Sequence, residues 1–180
     1  MLIRKVSKGD LKTFVEVYES AYGGLMEYKY KRISEIKKYF KWLYKRDAQG
    51  FYLAEEEGQG LGFIAGDANW VNYEGQRVLA IHEIFVIPEK QGKGIAKGLM
   101  QKVVEHGAEQ GLRRVELWVG RNNRKAISFY YKFGFREKRQ WGEWILMSMT
   151  LGEGQSAHIR DLKGDIIRGG YFDDREYFRC

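Results

Sequence analysis

The stretch VLAIHEIFVIPEKQGKGIAKGLM, residues 78–100, restricts the fold more than any other part of this 180-residue chain. An almost continuous apolar, β-prone run (78–87) meets Pro88, the only proline, and then a basic, glycine-rich loop, Gln91-Gly92-Lys93-Gly94. Ile95, Ala96, Leu99, Met100, Val103 and Val104 follow at helical spacing. A run so apolar fits a strand buried on both faces. A helix that starts directly after a tight glycine turn points its unbonded first-turn amides back into that turn. Such an end attracts anions, because the N–H groups lack partners and the helix dipole is positive there. The expected unit is a strand, an anion-holding loop and a helix.

The rest of the chain can be ordered around that unit. Ser7 and Asp10 stand at capping-box spacing, and Leu11, Phe14, Val15, Tyr18 and Tyr22 fall on one helical face. Ile33, Ile36, Phe40 and Leu43 predict a second helix over 33–46. Strands are expected at 51–56, 61–70 and 78–87, with turns at 57–60 and 72–77. After the glycine loop and a helix to about Gln110 come a strand at 113–119 and a short helix at 124–133, stopped by Gly134. Two more strands follow at about 135–140 and 143–151. The resulting class is α/β: a mixed central sheet of six to seven strands with flanking helices, its parallel pair joined through the helix after the loop.

Three glycine signatures compete for the loop. A Walker loop, GxxxxGK followed by Ser or Thr, is absent. GLGFIAG (60–66) has the letters of a dinucleotide fingerprint, but it lies in a hairpin strand with no helix after it. The third signature fits. Gln91-Gly92-Lys93-Gly94-Ile95-Ala96 resembles the (Q/R)xxGx(G/A) loop of the GCN5-related N-acetyltransferases, the GNAT superfamily. HEIFVIPE (82–89) is similar to the strand that precedes that loop. Asn123, Ala126, Tyr130, Gly134 and Phe135 match the family's NxxAxxxYxxxGF element. The match covers about residues 2–151, so the chain divides into an acetyltransferase domain, 1–151, and a C-terminal extension, 152–180, of unassigned role.

The resemblance implies acetyl-CoA as co-substrate, no metal, and a central strand that splays from the next one. The Gly92–Ala96 amides (Gly92, Lys93, Gly94, Ile95, Ala96) would hold the pyrophosphate, helped by the Lys93 charge and the Gln91 side-chain amide. Ile84, Phe85 and Val86 would pair with the pantetheine arm as an added strand would, and a Val86 N–H would hold the carbonyl oxygen. Asn123 would orient the cofactor or simply cap a helix. Tyr130 would be the acid that protonates the leaving thiolate. Its neighbour Tyr131 faces elsewhere, and Phe129 and Phe133 share a core face.

Direct attack by an amine needs a base, because a lysine-like amine holds its proton to a pKa of about 10.4. Glu83, a lone carboxylate in an apolar strand, is the candidate base; pairing with a neighbouring Arg or Lys is its other reading. Strand alternation puts Glu83 on the side of Ile81 and Phe85, and His82 on the opposite one. The acceptor is a primary amine, on a small molecule or on a peptide or protein. Glu27, Tyr28, Tyr30, Trp141 and Trp144 are candidate linings for it.

Composition narrows the alternatives. Cys180 is the single cysteine, which excludes an internal disulfide and a CxxC metal site. The start, MLIRKVSKGDL, carries no cleavage-like signal, and no apolar run reaches membrane-spanning length, so a cytoplasmic protein is expected. A net charge of +7 invites a nucleic-acid reading, but there is no dense Lys/Arg run to support it. An acetyl-CoA-binding sensor of the same fold without catalysis is the remaining alternative. Relatives in the family pair through late strands, which leaves a homodimer open. The extension has four large apolar groups, Ile166, Tyr171, Phe172 and Phe178, and some ordering is expected of it.

Overall fold

The computed structural model describes residues 1–23 and 30–152. Glu27, Tyr28 and the four apolar residues of the extension lie outside the described residues. The element order is β1 (Leu2–Lys5), α1 (Leu11–Tyr22), α2 (Ile33–Arg46), β2 (Phe51–Glu56), β3 (Gln59–Val71), β4 (Arg77–Val86), α3 (Ile95–Glu109), β5 (Arg114–Gly120), α4 (Arg124–Phe133), β6 (Arg136–Trp141) and β7 (Trp144–Thr150). They form one seven-stranded mixed sheet in the order β1-β2-β3-β4-β5-β7-β6. Only β4 and β5 pair in parallel; the other neighbours are antiparallel. No described helix is long and apolar enough to cross a membrane.

The capping box forms as expected: the Ser7 backbone N–H and its hydroxyl both donate to Asp10 Oδ2, at 2.7 and 2.9 Å. Arg4 adds a bidentate pair at 2.9 and 2.8 Å. With that guanidinium foremost, the Asp10 carboxyl is held down at about 2. The helices 33–46 and 124–133 start and stop where their periodicity predicts. The first strand, β1, has no counterpart among the expected elements. It is four residues long with an exposed residue at each end, too short for alternation to register.

The two faces of the sheet are packed differently. On one, the Phe14 ring of α1 meets Phe51, Phe63 and Phe85 on three successive strands, with centroids 5.9, 5.1 and 5.3 Å away. On the other lies α3. A Cβ added at Gly66 would meet Val103 at 2.2 Å, and one at Gly107 would meet Leu79 at 2.8 Å. The GLGFIAG run is therefore strand packing that lets α3 approach, not a nucleotide fingerprint.

One irregularity places the site. Ala65 pairs with Glu83 and its neighbour Gly66 with Ile81, so His82 is an extra residue on β4, a β-bulge. Directly paired residues share a face. Ile81 thus points to the α3 side with Gly66, while Glu83 points to the α1 side, where Phe85 also packs. The bulge lies where β4 leaves β5. The two strands pair only at Leu79–Val115, Ala80–Glu116 and Ile81–Leu117. Beyond that, β4 follows β3 to Val86 and β5 follows β7 to Gly120. The expected splayed pair is present, and its fork opens at His82.

Candidate active site

The loop geometry begins with two glycines. Gly92 and Gly94 have φ of 77° and 79°, the left-handed region that an L side chain adopts only with strain. Gly94 is the N-cap of α3, and the first helical bond returns from Gly98 to its carbonyl at 3.0 Å. The Ile95, Ala96 and Lys97 amides precede that bond at the end of a fifteen-residue helix. Gly92, Lys93 and Gly94 are exposed, and Ile95 and Ala96 anchor the turn in the core. The Gln91 Nε2 donates to the Val86 carbonyl at 3.0 Å, which ties the loop to the end of β4 through one of its two amide hydrogens.

The β4 backbone can be followed group by group. Ile87 donates to Leu61 at 2.9 Å, and Phe85 is in register with Phe63. Antiparallel ladders alternate, so Phe85 turns its N–H and C=O to β3, while Ile84 and Val86 turn theirs to the fork. Of the fork-facing groups, the Ile84 N–H reaches Glu83 Oε1 at 3.2 Å and the Val86 C=O is taken by Gln91. The expectation that all three residues present free groups is thereby narrowed, because Phe85 serves the sheet. The strand edge an extended ligand would meet is chiefly the Ile84 carbonyl and the Val86 amide.

Glu83 is 2% exposed. Tyr22 of α1 donates to its Oε1 at 2.7 Å, and Oε2 has no hydrogen-bond partner among the described residues. Among the described residues no Arg or Lys pairs with it. Burial pushes its carboxyl up to about 8, against the opposing pull of the Tyr22 and Tyr39 hydroxyls and the Ile84 amide. Tyr130 is 1% exposed and packs between Phe129 and Phe135, each 5.7 Å away by ring centroid. Burial, and after it the nearby Glu83 charge, push its phenol well above the ordinary value. The phenol keeps its proton across the working pH range. Tyr22 thus bonds Glu83 at the fork, and the Glu83 charge reaches the Tyr130 phenol.

Other expectations divide. Asn123 caps α4, its Oδ1 accepting from Ala126 N at 3.2 Å. Tyr131 faces outward to Glu137 (2.7 Å), and Phe129 and Phe133 stack in the core at 5.8 Å. His82 is a correction. The bulge puts it on the same side as Glu83, its ring 4.9 Å from Trp42 of α2 and 5.2 Å from Trp70. Tyr30 packs beside Tyr39 (5.2 Å), and Trp141 and Trp144 pair across the β6–β7 hairpin, Trp141 being 52% exposed.

Four neighbours of the site escape a reading by pattern. Tyr22 and Tyr39 read as core aromatics, yet Tyr22 bonds Glu83, and the Tyr39 hydroxyl reaches the His82 carbonyl at 3.3 Å. Asp67, fully buried, is ion-paired to Arg46 at 2.6 Å and touches His82 Nε2 at 3.3 Å. The one available signal was an acid inside the largely apolar 61–70 strand.

The Acetyltransferase (GNAT) family model matches residues 12–135, which include the fork, the loop and Tyr130. The chain belongs to the GNAT acetyltransferase family. An uncharacterised N-acetyltransferase of Methanocaldococcus jannaschii is 47% identical over 146 residues, 81% of this chain and 65% of that protein, so the chain spans about two thirds of that relative's length. One from Archaeoglobus fulgidus is 44% identical over 79% of this chain and 97% of its own. Among solved structures, a Pyrococcus horikoshii protein superposes with a TM-score of 0.77 at 35% identity, covering 84% of this chain and 99% of that one. The PaiA N-acetyltransferase of Thermoplasma acidophilum, solved with coenzyme A, gives 0.68 at 27% identity over 83% and 98%. The seven-stranded sheet with four flanking helices is the fold of this family.

Proposed function

We propose that this GNAT chain moves the acetyl group of acetyl-CoA directly to a primary amine, on a small molecule or on a peptide or protein, at the β4–β5 fork. The observation that carries the reading is the meeting of three things there. They are a glycine turn at a helix start, a strand edge that among the described residues has no β5 partner beyond Ile81, and a buried carboxyl whose charge reaches a buried phenol. Gly92 and Gly94 let the backbone approach a pyrophosphate, with the amides to Ala96 as donors and Lys93 as counter-charge. The Ile84 carbonyl and Val86 amide suit the pantetheine arm, and the same Val86 N–H suits the carbonyl oxygen. When bound, acetyl-CoA supplies the activated acyl carbonyl.

The chain's own residues then handle protons. Glu83, poised near neutrality by burial, takes a proton from the ammonium of the acceptor, directly or through water. Tyr130 donates its proton to the departing sulfur and regains one from the amine nitrogen as the amide forms, or it holds the thiolate by a hydrogen bond while that nitrogen proton passes to the sulfur. Tyr22 fixes the Glu83 carboxyl by one oxygen and leaves the other for this work.

Calorimetric titration with acetyl-CoA, with ADP-ribose as the control for generic pyrophosphate binding, followed by an amine panel tests this reading. Selective binding of acetyl-CoA and acetylation of at least one amine are expected. Binding with no turnover on any amine would favour the silent sensor. No binding by the folded protein would reduce the loop to a turn.

A further inference from the structure

We propose that His82 is the relay through which the buried carboxyl of Glu83 exchanges its proton with solvent, a role that rests on the acetyl-transfer reading above. A base used in every turnover must shed the proton it takes. Glu83 cannot do so alone: it is 2% exposed, and its described partners are the Tyr22 and Tyr39 hydroxyls and one backbone amide. His82 is the next side chain on the same face because the bulge turns both that way.

The surroundings of His82 fix its chemistry. Asp67 is fully buried, and its carboxyl is held below the ordinary value by His82 and by Arg46, whose Nε and guanidinium nitrogen lie 2.7 and 2.6 Å from Oδ2. A carboxylate only accepts, so in the 3.3 Å contact the proton resides on His82 Nε2. The neutral ring then carries its lone pair on Nδ1, and no described residue bonds that atom. The side chain is 11% exposed, an outlet that Glu83 lacks. Trp42 and Trp70 meet the ring at 68° and 81° and fix its orientation. Among the described residues the charged and titratable groups around it are Asp67 from β3, Arg46 from α2 on the far side of that carboxylate, Tyr39 at the His82 backbone carbonyl, and the adjacent Glu83.

The step balances. After Glu83 has taken the amine proton, the carboxylic O–H breaks and an Nδ1–H forms through an intervening water, giving a carboxylate and an imidazolium. The imidazolium then releases that proton to bulk water and returns to the neutral tautomer. His82 touches neither acceptor nor cofactor; it acts through Glu83 and is a relay residue.

The test is His82→Gln in the full chain, since Gln keeps an N–H donor for Asp67 but cannot titrate. Turnover is followed with acetyl-CoA and whichever of spermidine, a free-N-terminus tetrapeptide or Nα-acetyl-lysine amide the wild type acetylates fastest. In dilute buffer kcat is expected to fall about a hundredfold, the low end for a positioned proton-transfer group, with KM for acetyl-CoA unchanged. Added imidazole should restore it in proportion to its concentration, which a structural role would not allow. Wild-type turnover in the variant, or a loss that imidazole does not relieve, overturns the relay. If no amine is acetylated by the wild type, the acetyl-transfer reading falls and the relay with it. Should the variant fail to fold, nitrogen NMR of the wild-type ring decides: an Nε2–H tautomer is expected, and an Nδ1–H tautomer contradicts the relay.

Discussion

Two buried carboxyls lie on the same face of the sheet and behave in opposite ways. Asp67, on β3 against the end of α2, is 0% exposed, yet His82 and, after it, Arg46 hold its carboxyl below the ordinary value in spite of burial. Glu83, at the fork, is 2% exposed and has two tyrosine hydroxyls and an amide where Asp67 has a guanidinium; burial wins, and its carboxyl rises to about 8. Burial sets the size of the problem, and the partner decides which protonation state answers it. The first arrangement builds a fixed charge that orients a histidine. The second builds an acid–base group near neutrality, which is the state catalysis uses.

Replacing each carboxyl by its amide should break the comparison in opposite directions. The largest effect is expected at Glu83→Gln and Tyr130→Phe, each lowering kcat by about a hundredfold or more while acetyl-CoA affinity by calorimetry holds. Unchanged turnover in either variant would remove that residue from the chemistry. Next in size is a stability effect of opposite sign. The unfolded Glu83 carboxyl ionises near its ordinary value of 4.5 and the folded one near 8, so the native state binds the extra proton between those pH values. Wild-type stability should therefore fall as pH rises from about 4.5 to about 8, by an amount of the order of a few kcal/mol. Glu83→Gln should flatten that slope and melt higher at pH 8, as thermal scans can read. A variant that melts lower at pH 8 and keeps the slope would contradict the raised carboxyl.

Asp67→Asn should instead destabilise, by about 2 kcal/mol at pH 7, because it strands Arg46 and loosens His82. The figure is below that for a fully buried pair, since Arg46 is about a third exposed and partly screened. Its sign with pH is also reversed: the Asp67 contribution is present above its unfolded pKa and fades as pH falls through the lower folded value. Urea titrations at pH 7 and pH 3 check both points. The smallest effect is expected at Gly94→Ala. No atom stands within 4 Å of the added methyl, so only the left-handed backbone resists, at about 1 kcal/mol. A several-fold weaker acetyl-CoA titration should accompany it; unaltered affinity would separate the turn from the anion.

The parts of this molecule that were legible in the sequence are those that repeat or punctuate. The α2 and α4 bounds follow from helical spacing and from Gly134, whose φ of 116° stops α4. The glycine loop, Glu83 as an exception in an apolar strand, and Tyr130 could be nominated because each departs from its surroundings. What escaped depends on a single irregular residue. Alternation assumes an unbroken pleat, and the bulge at His82 inverts it, so Ile81 and Glu83 part company and His82 joins Glu83. Asp67 and Tyr22 escaped because their partners are distant in sequence, 15 residues from Asp67 to His82 and 61 from Tyr22 to Glu83. Those contacts exist only once the sheet has closed.

The most direct test of the account is the pH dependence of kcat/KM for wild type and Glu83→Gln, with saturating acetyl-CoA and the best amine from the panel. The wild-type value should rise through an apparent pKa near 8, and Glu83→Gln should lose that rise along with most of the rate. Superimposable profiles of equal height would show that the fork carboxyl takes no part in the reaction.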